Sequence, residues 1–215
     1  RSYLCAPKES SFNTVMSIKE IGAKIIFKDN IIDILKAKEN ITEENGMRNA
    51  HIRDGVALTK FIYWIKNIKN NSQTEIRASN YLDNLRSKNK NFFSLSFPTI
   101  AGSGPNGAIV HYRASNKTNR KLKKDDLFLV DSGAQYFDGT TDVTRTIAFN
   151  KVTYEQKKMY TLVLKGHIAV ALSTFNEKES GKTLDRHARK FLKKEKLNFD
   201  HGTGHGVGSF LNVHE

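Results

Sequence analysis

From Glu43 to Asn70, apolar residues at Met47, Ala50, Ala57, Leu58, Phe61, Ile62, Ile65 and Ile68 fall largely on one face of a helix. The pattern predicts a single long amphipathic helix, with Trp64 as a packing residue. Ser72-Gln-Thr-Glu75 has the capping-box order that satisfies free amides at a helix start. Ile76, Ala78, Tyr81, Leu82 and Leu85 follow as its apolar residues, so a second helix is predicted to about Lys88. The periodicity then changes. Runs rich in Val, Ile and Thr at Gly107 to Tyr112, Asp126 to Asp131 and Thr141 to Phe149 are bounded by Gly, Asn and Asp, and predict strands. Tyr136-Phe-Asp-Gly139 is a turn candidate, and the hairpin it closes would bring Asp131 and Asp142 near each other on neighbouring strands. Thr153-Tyr-Glu-Gln156 opens a third helix to about Thr174, and Thr183 to Lys196 makes a fourth. Helices alternating with a largely antiparallel sheet give an α+β class.

The first forty or so residues carry two short apolar runs, Lys24-Ile-Ile-Phe27 and Ile31-Ile-Asp-Ile-Leu35, joined by a turn at Lys28-Asp-Asn30. They do not read as a complete domain. At 215 residues the chain is long enough to bury a sizeable core, and 38% hydrophobic with 27% charged residues fits a soluble globular protein. No apolar run approaches the ~18 residues of a membrane span. The start, Arg1-Ser-Tyr-Leu-Cys-Ala-Pro7, lacks the long apolar core of a secretory signal. A cytoplasmic address is expected, and the lone Cys5 agrees with a reducing compartment.

Lys plus Arg outnumber Asp plus Glu by 35 to 22, a net charge of +13. The lysines are scattered, with short clusters at Lys117 to Lys124 and Lys190 to Lys196, and no aromatic platform is interleaved with them. Nucleic-acid binding requires such platforms or ordered basic grooves, so neither a nucleic-acid nor a membrane partner is expected.

Candidate chemistry lies in two stretches. His201-Gly-Thr-Gly-His205-Gly-Val-Gly-Ser-Phe-Leu-Asn-Val-His214-Glu215 sets three histidines in glycine-rich chain, and Asp131-Ser-Gly-Ala-Gln-Tyr-Phe-Asp-Gly-Thr-Thr-Asp142 supplies two carboxylates. Carboxylate oxygen with imidazole nitrogen suits divalent cations such as manganese, cobalt or zinc. Two carboxylates so close repel unless protonated or bridged by a cation. An Asp beside a turn also caps backbone amides, which is the structural alternative. Glycines at 202, 204, 206 and 208 disfavour a helix, at ~1 kcal/mol each. They permit close backbone approach to a ligand or a neighbouring strand instead. With no Walker lysine following, a phosphate cradle is not supported.

These segments resemble the metal-dependent aminopeptidases of the pita-bread fold, and most closely the larger, cytosolic form of Xaa-Pro aminopeptidase (aminopeptidase P). The resemblance also takes in Leu95-Ser-Phe-Pro-Thr-Ile100, Gly107-Ala-Ile-Val-His-Tyr112, Gly139-Thr-Thr-Asp-Val-Thr-Arg-Thr146 and Lys165-Gly-His-Ile-Ala-Val170. It implies a curved, mostly antiparallel sheet covered by helices, the creatinase and methionine aminopeptidase fold, truncated at its C-terminus. Residues 1–42 would be the tail of a preceding middle domain plus linker, and residues 43–215 an incomplete catalytic domain. The lack of an initiator Met strengthens the expectation of a fragment.

By the same resemblance, Asp131 holds one of two divalent metals, Asp142 bridges both and His205 supplies nitrogen to the second, with manganese the expected ion and cobalt or zinc the alternatives. His111, His201 and His214 position the scissile peptide, stabilise charge on its carbonyl oxygen and shuttle protons; His51, His167 and His187 have no such match, and a lone histidine is more often a packed or surface residue. The implied reaction is release of the N-terminal residue from peptides with proline second, by a hydroxide that the metal pair activates. Family members have two further glutamate ligands downstream of the His-Glu match, and Glu215 is neither of them. The isolated chain is therefore expected to be inactive or nearly so, with a homodimer expected of the full-length form. Methionine aminopeptidases and prolidases share the ligand logic. The alternative from another class is a catalytically silent pita-bread module that binds peptides or proteins.

Overall fold

The computed structural model describes residues 2–68, 73–176 and 179–214. The chain opens with a parallel pair, β1 (Tyr3–Pro7) and β2 (Lys24–Lys28), connected through α1 (Phe12–Glu20) and followed by α2 (Ile31–Lys36). Of the two apolar runs read in this region, the first is a strand and the second a helix. Asn30 starts that helix by accepting a hydrogen bond from the Ile32 amide. The strand β1 and helix α1 carried no pattern strong enough to be read.

α3 (Ile41–Lys66) is the predicted long helix. Asn40 caps it, accepting from the Thr42 and Glu43 amides while the Glu43 carboxylate accepts from the Asn40 amide. Its buried face runs through Gly46, Ala50, Asp54, Ala57, Leu58, Phe61 and Ile65. α4 (Glu75–Ser87) begins after Thr74, whose hydroxyl accepts from the Arg77 amide. The predicted capping residue Ser72 lies outside the described residues. Trp64 stacks on Tyr81 at 4.1 Å between ring centroids, the packing role expected of it.

Two three-stranded antiparallel sheets follow, ordered β3-β6-β7 and β4-β5-β8. Their strands are β3 (Phe92–Leu95), β4 (Ile100–Ser103), β5 (Leu127–Ser132), β6 (Ala134–Tyr136), β7 (Gly139–Thr140) and β8 (Val143–Ala148). β6 and β7 form the tip of the predicted hairpin, with Tyr136 opposite Gly139, and β5 and β8 continue it. The join is Gly133 on one side and Thr141 on the other. A Cβ on Gly133 would lie 1.8 Å from the Thr141 carbonyl oxygen, so only glycine lets the two segments approach there.

The predicted strand over 107–112 is not formed. Gly104, at φ +58°, leads into a 3-10 turn over Gly104–Ala108 with Pro105 at its start. His111 takes φ +56°, and Ile109 and Val110 are exposed. The apolar pair that suggested a strand lies on the surface of a loop.

The main core is Leu58, Phe61 and Ile65 of α3, Ala78 and Leu82 of α4, Ala101, Phe128, Val130 and Ile147 of the β4-β5-β8 sheet, and Leu122. Alternation along β5 turns Phe128 and Val130 into this core and therefore sends Leu129 and Asp131 to the opposite face. Last come α5 (Tyr154–Ala171) and α6 (Gly181–Lys194), packed on each other. Thr153 and Gln156 form the predicted capping box of α5. Gly166 lets α6 approach, since a Cβ there would sit 2.2 Å from the Ala188 carbonyl oxygen. Among the described residues no helix is long and apolar enough to cross a membrane.

Candidate metal centre

Asp131 is opposite Thr144 in the β5-β8 register, and the Thr144 hydroxyl donates to the Asp131 carboxylate at 2.8 Å. Asp142 precedes Thr144 by two positions, so period-two alternation puts Asp131, Thr144 and Asp142 on the sheet face away from the helices. Hairpin geometry thus delivers two carboxylates to one open face. Burial raises the Asp142 pKa, and the negative charge of Asp131 raises it further, while His205 and then His214 act in the opposite direction.

His205 lies in the glycine-rich segment after α6, with its Nε2 3.3 Å from the Asp142 carboxylate. Its Nδ1 is 2.8 Å from the Gly206 carbonyl oxygen. A proton on Nδ1 satisfies that carbonyl and turns Nε2 toward Asp142, where a cation held between the two would take up its lone pair. His214 packs edge-on against His205 at 4.3 Å, and His111 lies 6.3 Å from His214. Asp131, Asp142, His111, His205 and His214 line one cavity of about 570 Å³ with Ser96, Pro98 and Arg113. His201 stands apart from this cavity. It stacks on Phe199 at 4.8 Å and borders an adjoining space of about 620 Å³, whose lining also includes His111, Asp131, His205 and His214.

The donor chemistry fits a divalent cation: adjacent carboxylates that repel, with an imidazole nitrogen beside them. Yet among the described residues no three His, Cys, Asp or Glu side chains stand close enough to hold a metal as a group. The contacts present are Asp131 with Asp142 and Asp142 with His205. Close backbone approach at the glycines is not seen at Gly202 or Gly204, where an added Cβ would meet nothing within 4 Å. His51, His167 and His187 do not line either cavity.

Sequence reasoning missed two buried polar networks that hold the surrounding elements. Glu75, fully buried at the start of α4, accepts from the Ser103 amide at 2.7 Å, the Asn106 amide group at 3.0 Å, the Tyr112 hydroxyl at 2.8 Å and the Arg120 amide at 2.9 Å. This fixes both sides of the loop that carries His111. The Asp54 carboxylate accepts two hydrogen bonds from Arg86, at 2.7 and 2.8 Å, and one from the Tyr136 hydroxyl at 2.9 Å. That ties α3, α4 and the hairpin together. Burial and the Asp54 charge push the Tyr136 hydroxyl far above its usual range. The sequence did hold a signal for Asp54, a carboxylate spaced four residues from both Ala50 and Leu58 on an otherwise apolar stripe.

A family model for metallopeptidase family M24 matches residues 45–215. A probable Xaa-Pro aminopeptidase P from Paracoccidioides brasiliensis is 54% identical over 183 residues, covering 84% of this chain and 30% of its own length. One from Tuber melanosporum is 45% identical over 202 residues, covering 90% of this chain and 33% of its own. Among solved structures, an X-prolyl aminopeptidase from Caenorhabditis elegans, described as a cytosolic enzyme with a di-nuclear active site, superposes with a TM-score of 0.90 at 40% identity. That match covers 99% of this chain and 34% of the other. A prolidase from Pyrococcus furiosus, at 24% identity and a TM-score of 0.83, shares the fold. The chain thus spans about a third of the length of the three aminopeptidases and 61% of the prolidase, and has the helix-covered antiparallel sheets of the pita-bread fold.

Proposed function

Because the chain belongs to metallopeptidase family M24, we propose that it carries part of the catalytic domain of an Xaa-Pro aminopeptidase, releasing the first residue from peptides with proline second. In this reading residues 43–215 belong to the catalytic domain and residues 1–42 to the end of a preceding domain and its linker. The whole protein acts in the cytoplasm as a homodimer. The observation that carries the reading is Asp142, half-buried against Asp131 on one side and His205 on the other. A carboxylate in that position is costly to ionise unless positive charge is supplied beside it.

Asp131, Asp142 and His205 would hold two divalent cations, manganese in the first instance with cobalt and zinc as alternatives. When bound, such a pair supplies Lewis acidity that activates water and polarises a peptide carbonyl. The chain's own residues do the rest. The Gly206 carbonyl fixes the His205 tautomer, and Thr144 orients Asp131. His111 and His214 line the cavity where a scissile peptide would lie, and His201 borders its extension, so their imidazoles would be at hand for a developing oxyanion. A cavity of about 570 Å³ accommodates a short peptide segment.

That no three such donors close into a group among the described residues favours the second reading, a silent peptide- or protein-binding module. Metal content separates the two. After equilibrium dialysis against manganese, mass spectrometry of the full-length protein is expected to find two ions per chain, with loss in Asp131→Ala, Asp142→Ala and His205→Ala and no loss in His51→Ala. A full-length protein that retains no metal would favour the silent module.

A further inference from the structure

We propose that Asp185 and Arg189 of α6 form a positioning clamp that fixes the segment 198–205 and so sets the directions of the His201 and His205 rings. That segment has no helix or strand to hold it. Gly202 and Gly204 face open space, and both histidine Nδ1 atoms contact only the carbonyl of the next residue. Its first half is gripped by one guanidinium. Arg189 donates from Nη1 to the Asn198 side chain at 2.8 Å and to the Phe199 carbonyl, and from Nη2 to the His201 carbonyl at 2.9 Å.

The same group lies 3.9 Å from the centroid of the Phe199 ring, whose stacking with His201 extends the column to the histidine. Nε donates to both oxygens of Asp185, at 2.8 and 2.9 Å, which orients the fork. Asp185 in turn accepts from the Thr203 hydroxyl, midway between the two histidines. The Thr203 hydroxyl, and then Arg189, hold the Asp185 carboxyl below its ordinary pKa. The Arg189 side chain is 13% exposed, while Asp185 at 35% and the segment it holds face water.

The arrangement needs the planar fork of arginine. Lysine keeps the charge but can reach only part of the set of acceptors and cannot stack in the same way. α6 is itself seated against α5 at Gly166, so the clamp transmits the position of a packed helix pair to a loop without structure of its own. What the positioned rings then do rests on the function proposed above, but the clamp does not.

The test uses the full-length protein with Arg189→Met, Arg189→Lys, Asp185→Asn and Thr203→Val. In Arg189→Met, amide exchange across residues 198–206 is expected to accelerate at least about tenfold while α3 keeps its protection, and the ring-proton resonances of His201 and His205 are expected to shift. Arg189→Lys should return them part of the way. Manganese affinity should fall as well, because His205 would lose its fixed direction. Unchanged exchange and unchanged histidine resonances in Arg189→Met would overturn the clamp. If that variant loosens everywhere, Thr203→Val decides: acceleration confined to 202–205 supports the clamp, and unchanged exchange overturns it. A wild-type protein that binds no manganese would remove the metal reading while leaving the exchange result to stand or fall alone.

Discussion

Asp142 gathers the electrostatics of the site into one side chain. Its pKa is raised above 3.8, first by burial and then by Asp131, so the folded protein binds this proton more tightly than the unfolded chain does. Stability contributed here is therefore present below the ordinary carboxylate range and is lost as pH rises through the elevated value. Thermal unfolding of the metal-free protein should show that decline, and Asp142→Asn should flatten it. Added manganese should raise the melting temperature more above this window than below it, because only the ionised pair attracts the cation. Equal stabilisation on both sides would argue against Asp142 as a ligand.

The residues of the site were legible as chemistry, and their partners were not. Aspartates and histidines in glycine-rich segments announce themselves by type, and strand alternation around Phe128 and Val130 then fixes which way Asp131 faces. Thr144, Arg113, Asp185 and Arg189 carry no such signal, since a surface-type residue acquires its role only from what the fold brings beside it.

At the scale of elements, the Asp54–Arg86–Tyr136 network joins α3, α4 and the β6-β7 hairpin inside the core. The Arg86 side chain is fully buried. Removing Arg86 leaves a carboxylate without its counter-charge, and Arg86→Met is expected to cost about 3–5 kcal/mol in chemical denaturation. Tyr136→Phe removes one hydrogen bond to the same carboxylate and should cost about 1–3 kcal/mol. A loss in Arg86→Met no larger than that in Tyr136→Phe would show that Asp54 finds other solvation.

α3 was readable from periodicity alone, and α5 because its capping box, Thr153 with Gln156, marks the start. The loop at 107–112 was misread because Ile109 and Val110 have strand propensity, whereas Gly104, Pro105 and the hydrogen bonds to Glu75 dictate a turn. β3, β4 and β1 are short and take their identity from their partners, which local pattern does not reveal.

At the scale of the whole molecule, apolar surface remains uncovered on α5 and beside the β6-β7 hairpin. α5 exposes Tyr160, Leu164 and Ile168 at four-residue spacing, with Leu172 just beyond its end. Phe93, Phe137 and Phe210 form an exposed aromatic cluster with ring centroids 5.4 to 6.0 Å apart. Contiguous apolar patches of this kind mark surfaces that bind something. The 215-residue chain alone is therefore expected to self-associate with rising concentration. Sedimentation that is monomeric at every concentration would contradict that. The same chain is expected to hold manganese weakly and to hydrolyse Xaa-Pro peptides little or not at all, because Asp131, Asp142 and His205 alone would leave most coordination positions of two cations to water. Tight binding of two ions and robust turnover by this chain alone would show that its own residues suffice.

On the function proposed here, Asp142 is a working part of an Xaa-Pro aminopeptidase. Release of the first residue from a short peptide with proline second, measured for the full-length protein and its Asp142→Ala variant at saturating manganese, tests it most directly. Turnover by the wild type and its loss in the variant are the expected results. Equal turnover by both, or cleavage of Met-Ala peptides with Xaa-Pro peptides untouched, would contradict that reading.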